Sequence, residues 1–276
     1  MPRSRIMILC GRAARHLYVA NGLCRAAEVT AIVHEAPAQW TMEKLRRNLK
    51  PAVLWRKSWR WLRDRPRYAG NPEARFFFGD RPAALDRPEL VREVPSVSDP
   101  ALLELARTHR PELICVFGTS LIRGPLLEHF TLVNLHGGLS PQYRGADCTF
   151  WALHNGEPDK VGCTLHFIDA GIDTGRLIAH VCPEVRPGDD ELVLFWRAVR
   201  DSVAVYAEAV ARHRAGTLRG VCQPSKGRLY QVRDRTWAAE QRLKRAGAAA
   251  IAAPLPPRVT WFEATPLQAA ACERSG

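Results

Sequence analysis

Short apolar runs that alternate with helical segments constrain this chain most. "IMILC", "EVTAIVHE", "ELICVFG", "TLVNLHG", "VGCTLHFID" and "RLIAHVCPEV" are too short and too rich in Val, Ile and Leu for helices. Between them lie stretches with apolar residues at three- and four-residue spacing, such as "RHLYVANGLCRA" and "DPALLELARTHRP". That alternation predicts an α/β fold with a mostly parallel central sheet. Asp99 or Ser98 is the expected cap of the second of these helices. "GPLLEHF" and "DCTFWALHNGE" read as short helices, "DELVLFWRAVRDSVAVYAEAVARHRAG" as a long one, and "EARFFFG" as a short strand.

The chain has 276 residues, of which 46% are hydrophobic, enough for one large domain. The expected division is a domain over 1–220 and a short appendage over 221–276, the tail "AAAIAAPLPP" and beyond being weakly ordered. No apolar run reaches the roughly 20 residues of a membrane span. The basic, apolar start "MPRSRIMILCGRAARHL" is read as a first buried strand and not a leader, because Gly11 and Arg12 break the run. The eight cysteines show no CxxC and no ligand spacing to histidine. The expectation is free thiols in the cytoplasm and no metal site.

The net charge of +12 is concentrated between residues 40 and 70, "WTMEKLRRNLKPAVLWRKSWRWLRDRPRYAG". This insertion is expected to form an amphipathic helix that docks Trp55, Trp59 and Leu62 inward, keeps Arg56, Arg60 and Arg63 for an anionic acceptor at the rim of its entrance, and does not anchor a membrane.

Two stretches carry chemistry: "VNLHGGLSPQYRGADCTFWALHNGEP" and "VGCTLHFIDAGIDTG". Asn134 and His136 are two residues apart and share one side of a strand. An amide N–H beside an imidazole suits a developing oxyanion, and Asp173 can hold that imidazole charged or relay a proton through water. No Ser or Cys stands in a nucleophile elbow, so direct acyl transfer and hydrolysis both remain open. Each piece alone is also an ordinary polar loop. No GxGxxG follows the first strand, which argues against a dinucleotide cofactor.

Together, "NLHGGLSPQYRGADCTFWALHNGE" and "VGCTLHFIDAGIDTG" resemble the signature of the folate-dependent formyltransferases. That group includes the glycinamide ribonucleotide, methionyl-tRNA and sugar N-formyltransferases. The resemblance runs from about residue 100 to 185 and implies a Rossmann-like formyltransferase fold with 10-formyltetrahydrofolate as donor and an amine as acceptor. It makes Asn134, His136 and Asp173 catalytic, with Asp173 rather than Asp169 as the acidic member. It lines the folate pocket with Phe117, Gly118, Thr119, Leu121, Asp169, Gly171 and Ile172. Gly137, Gly138, Tyr143 and Arg144 fall on the acceptor side. Where many relatives have Ser-Leu-Leu-Pro after the His, this chain reads "GGLSP", which leaves the acceptor open.

The appendage "GRLYQVRDRTWAAEQRL" is similar to the segment that follows the catalytic domain in sugar N-formyltransferases. An amino sugar on a nucleotide diphosphate is therefore the expected acceptor, and the basic segment suits its phosphates. The alternatives are another biosynthetic amine (natural product, siderophore or carrier-bound), methionyl-tRNA, or a noncatalytic RNA-associated module. No stable nucleic-acid partner is expected, and a homodimer is compatible with the sequence.

Overall fold

The computed structural model describes residues 4–36, 46, 49–247 and 251–263. In the basic segment, positions 40–45 and 47–48 lie outside the described residues, as do 248–250 and 264–276 of the expected weakly ordered tail.

Strict alternation builds the centre. In β1 (Arg5–Cys10), Ile6, Ile8 and Cys10 face one hydrophobic cluster while Met7 and Leu9 face a second. In β4 (Leu113–Phe117), Leu113, Cys115 and Phe117 join the first cluster and Ile114 and Val116 the second. A strand buried on both faces belongs in a parallel sheet covered by helices on both sides. One layer holds α1 (Ala14–Ala26), α3 (Pro72–Phe78) and α7 (Glu191–Arg214), and the other holds α4 (Pro100–His109) and α5 (Leu126–His129).

The remaining strands are β2 (Glu28–Glu35), β3 (Val91–Val94), β5 (Leu132–His136), β7 (Cys163–Phe167), β8 (Leu177–Cys182) and β10 (Arg258–Trp261). They order as β10-β8-β7-β5-β4-β1-β2-β3. β3, β2, β1, β4 and β5 run parallel, whereas β7, β8 and β10 add an antiparallel wing beyond β5. The chain moves outward from β1 through β2 to β3 and then returns to β4 on the other side. That reversal is the switch point where open α/β sheets hold ligands, beyond the carboxyl ends of the strands.

Several expectations need correction. "EARFFFG" is helix α3, not a strand: Asn71 caps it by accepting from Ala74 N–H, and Pro72 fits its first turn. The basic segment does form a helix, α2 (Pro51–Arg67), with Trp59 turned inward and Arg56 and Arg60 exposed as expected, but Trp55, Leu62 and Arg63 are placed the other way. Trp55 is 75% exposed, and Leu62 is also exposed, whereas Arg63 is largely buried. Glu191 and Glu240 on the body draw Arg67 and Arg63 inward, which leaves Leu54, Trp55, Trp61 and Leu62 on the outer side.

Residues 251–263 of the tail are more ordered than expected. Ile251 is buried, Leu255 bridges Val185, and β10 extends the sheet antiparallel to β8. In the appendage, β9 (Arg228–Tyr230) pairs with β6 (Tyr143–Gly145). α8 (Trp237–Ala246) packs on α6 (Cys148–His154), where Tyr143, Phe150, Trp151 and Tyr230 form a third apolar cluster. Cys10, Cys24, Cys115, Cys148, Cys163 and Cys182 are free, but Cys222 is disulfide-bonded, which departs from the all-thiol expectation.

Candidate active site

β5 ends in Asn134, Leu135 and His136, and its antiparallel neighbour β7 sets His166 opposite Asn134 and Thr164 opposite His136. Sequence reasoning missed His166; the alternation of "CTLHF" was the available signal. Asn134 Nδ2 lies 3.1 Å from His166 Nε2, and His166 Nδ1 lies 2.7 Å from the Phe167 carbonyl. A carbonyl only accepts, so Nδ1 carries the proton and Nε2 accepts from the Asn134 amide.

Asp173 comes from the loop after β7. Its backbone is left-handed, with φ of 51°, a conformation that Asp tolerates better than most residues. Gln223, which follows the last main-sheet helix, donates to the carbonyls of Asp173 at 2.8 Å and Gly175 at 2.9 Å and pins this loop from below. The carboxylate accepts from Gly145 N–H at 2.9 Å and faces His136 Nδ1 at 3.3 Å and His166 Nε2 at 3.6 Å. Burial pushes the Asp173 carboxyl up, but His136, His166 and the Gly145 N–H outweigh it and bring it down to about 2. Burial pushes the His136 imidazole below its ordinary value, against the upward pull of Asp173. Nε2 of His136 donates to the Tyr143 carbonyl at 3.0 Å. In the neutral ring, Nδ1 and Asp173 Oδ2 are therefore two acceptors facing one another, and the space between them fits a proton.

Gly138 makes room for this ring. A Cβ there would come within 2.6 Å of the Tyr143 carbonyl and 2.7 Å of His136 Nε2. Cys148 Sγ sits 3.6 Å from the same nitrogen, and burial holds its thiol well above the ordinary value, which leaves it unreactive.

Two clefts meet at Phe117, Gly118, Gly137 and Gly145. The first, about 330 Å³, contains Asn134, His136, His166 and Asp173 and is walled by Thr119, Leu121, Gly171 and Ile172. Asp169 does not line it; its carboxylate accepts from Gly171 N–H and the Thr174 hydroxyl within its own loop. The second cleft, about 310 Å³, is walled by Arg15, Arg63, Arg67 and Arg235 with Tyr68, Phe150 and Phe195. Tyr143 and Arg144 line neither cleft. The Tyr143 hydroxyl donates to Glu157, so it is only the Tyr143 backbone that meets His136.

The arginines of the second cleft were not singled out in the sequence, apart from Arg63 and Arg67 in the basic run. Arg235, with 3% of its side chain exposed, holds both oxygens of Glu191 at 2.8 and 2.9 Å. It also reaches Asp147 at 3.0 Å and Glu240 at 2.6 Å, and its guanidinium lies 3.9 Å from the Phe150 ring centroid. Arg67 Nη2 meets Glu191 at 2.8 Å. Burial raises Glu191 above the ordinary carboxylate value while Arg235 and Arg67 draw it back.

The first β–α turn is closed. His16 packs edge-on to Phe117 at 4.8 Å, in space left by Gly11 and Gly118, and its Nδ1 accepts from Ala13 N–H at 3.3 Å. Burial lowers its imidazole to about 3, so it is a neutral plug. The helix N-terminus that commonly receives phosphate is filled by the chain's own side chain.

Residues 26–210 match the family model described as formyl transferase. The trifunctional purine biosynthetic protein adenosine-3 of Drosophila pseudoobscura pseudoobscura is 31% identical over 163 residues, 56% of this chain and 12% of that protein. The methionyl-tRNA formyltransferase of Chlorobium chlorochromatii is 31% identical over 124 residues, 44% of this chain and 39% of that one. The chain thus spans less than half the length of these curated relatives. The X-ray structure of a sugar N-formyltransferase from Shewanella sp. superposes with a TM-score of 0.56 at 15% identity, covering 95% of this chain and 97% of that one.

Proposed function

The chain belongs to the formyl transferase family, and from that premise we propose that it moves a formyl group from 10-formyltetrahydrofolate to a primary amine, with an amino sugar on a nucleotide diphosphate as the acceptor. The observation that carries this reading is the convergence of Asn134, His136 and Asp173 in a cleft that meets an arginine-lined one. The first cleft suits the donor, with Phe117, Gly118, Thr119, Leu121, Gly171 and Ile172 around the pterin. The second suits the acceptor.

In this reading the amine attacks the formyl carbon across the Gly118–Gly137 junction. Asn134 gives one amide hydrogen to His166 and turns the other to the developing oxyanion. The proton lost by the attacking amine passes to the gap between His136 Nδ1 and Asp173 Oδ2, and the resulting imidazolium adds its charge to oxyanion stabilisation. The proton then returns to the departing folate nitrogen. Cys148 has no step to perform.

Support for the acceptor comes from two sides. His16 fills the first β–α turn, so an acceptor phosphate has to be met elsewhere, and the second cleft gathers Arg15, Arg63, Arg67 and Arg235, whose present partners are the carboxylates of Glu73, Asp64, Glu191, Asp147 and Glu240 that a diphosphate would have to displace. The sugar N-formyltransferase fold matches nearly the whole chain. The test is incubation with 10-formyltetrahydrofolate and a panel of amines that includes nucleotide-diphosphate amino sugars, read by mass spectrometry. Formylation of a nucleotide-linked amino sugar above all other amines is expected. Formylation of methionyl-tRNA alone, or of no amine with the donor intact, would sink it.

A further inference from the structure

We infer that the outer face of α2 is a docking surface for an anionic lipid bilayer. Leu54, Trp55, Ser58, Trp61, Leu62 and Arg65 follow one helical stripe at i, i+1, i+4, i+7, i+8 and i+11. Leu54 is 44% exposed, Trp55 75%, Trp61 58% and Leu62 60%. Opposite this stripe, Trp59, Arg63, Asp64 and Arg67 meet the body, and Arg63 and Arg67 wall the arginine-lined cleft. Globular proteins rarely leave a row of large apolar side chains in water on a helix already anchored from its other side.

The occupant is fixed by charge and shape. Arg65 closes the stripe, exposed Arg56, Lys57 and Arg60 lie on the polar side of the helix, and its sole acid, Asp64, is bound to Arg63. A Trp/Leu face with Lys and Arg on the polar side is the pattern of a helix lying in the headgroup region of an anionic leaflet. Trp55 and Trp61 belong at headgroup depth. Leu54 and Leu62 have no ring to stack on a nucleobase but fit among acyl chains. The Arg65 guanidinium lies 5.1 Å from the Trp61 ring centroid, from where its long stem can carry the charge up to lipid phosphate. The attachment is peripheral, since no helix among the described residues is long and apolar enough to cross a membrane. The same helix borders the second cleft, so docking holds the mouth of that cleft at the lipid surface.

The test is co-sedimentation of the full chain with phosphatidylcholine vesicles, with and without phosphatidylglycerol, together with tryptophan emission. Binding only to the phosphatidylglycerol vesicles, a blue shift and release by salt are expected. Trp55→Ser/Trp61→Ser should weaken partitioning roughly tenfold or more, as should Arg56→Glu/Arg60→Glu. All four positions are exposed, and an unchanged melting curve checks that the variants fold. A chain that stays in the supernatant with anionic vesicles overturns the inference. So does a Trp55→Ser/Trp61→Ser variant that sediments like the parent. Retention on polyuridylate without vesicle binding assigns the face to nucleic acid. A concentration-dependent dimer lost in the tryptophan variant, again without vesicle binding, assigns it to a second copy of the chain.

Discussion

Asp173 accepts from a backbone N–H and faces two histidine nitrogens from a left-handed position, whereas Asp169, four residues earlier, only caps its own loop. Asp173→Asn should therefore slow formyl transfer far more than Asp169→Asn, because an amide cannot share a proton with His136. Equal losses in kcat would remove Asp173 from the reaction. Asn134→Ala and His136→Ala should each lower kcat by about 10²–10³ with the melting temperature little changed. Gly138 makes a separate prediction. An added methyl meets the Tyr143 carbonyl and Cys148, neither of which is free to move, so Gly138→Ala should displace the imidazole. The expected result is a large fall in kcat with donor binding retained; wild-type turnover would show that the ring does not need this seat. Asn134 and His136 were legible because they stand at the end of an apolar run, and Asp173 because the loop "DAGIDTG" resembles the family's. His166 and His16 were not, since one looks like a polar residue in an alternating strand and the other like any residue of an amphipathic helix.

At the level of elements, the exit of the central strands is shaped by a side chain from a distant helix. Tyr206 of α7 lies fully buried, and its hydroxyl accepts from Val116 N–H at 2.8 Å and donates to the Val133 carbonyl at 2.6 Å. It bridges β4 and β5 at the edge of the first cleft, which Val116, Phe117 and Asn134 line. Tyr206→Phe removes the bridge and leaves a buried N–H and carbonyl without it, at a cost of about 1–3 kcal/mol. Calorimetry should show a Tm lower by several degrees, and an unchanged Tm would mean that the two strands close the gap themselves. The same scale explains the misread α3. Three consecutive phenylalanines look like a strand, but Asn71–Pro72 starts a helix, and Phe77 finds Tyr18 at 5.0 Å while Phe76 finds Trp196 at 5.6 Å.

For the whole molecule, buried neutral imidazoles make stability pH-dependent. Burial lowers His16 to about 3 and His180 to about 4, and it lowers His136 as well. In the unfolded chain these rings titrate near the ordinary value of 6.5, so below it the unfolded state binds more protons and folding loses stability. The loss should begin near pH 6.5 and deepen to about pH 3, at roughly 1.4 kcal/mol per ring for each pH unit. Asp173 adds a loss of the same sign between its ordinary 3.8 and about 2. Tm measured from pH 8 down to pH 4 should fall steeply below pH 6.5; a flat profile would mean that these rings are hydrated. His16→Phe should flatten the profile without the change in kcat expected of His136→Ala.

The sequence alone determined the βαβ alternation, the parallel centre and the strand end that presents Asn134 and His136, with Asp173 in the loop after a later strand. Those features depend on local periodicity and on short-range chain geometry, which are written in consecutive residues. The tertiary structure decided which side of α2 faces water, because that depends on Glu191 and Glu240, far along the chain. It also decided that the segment after residue 220 is not a loose appendage. Gln223 pins the Asp173 loop, Arg235 closes the second cleft, and β10 completes the sheet. None of those three contacts has a local signature, since each is a single polar group or a four-residue strand whose partner is fixed only when the sheet has formed.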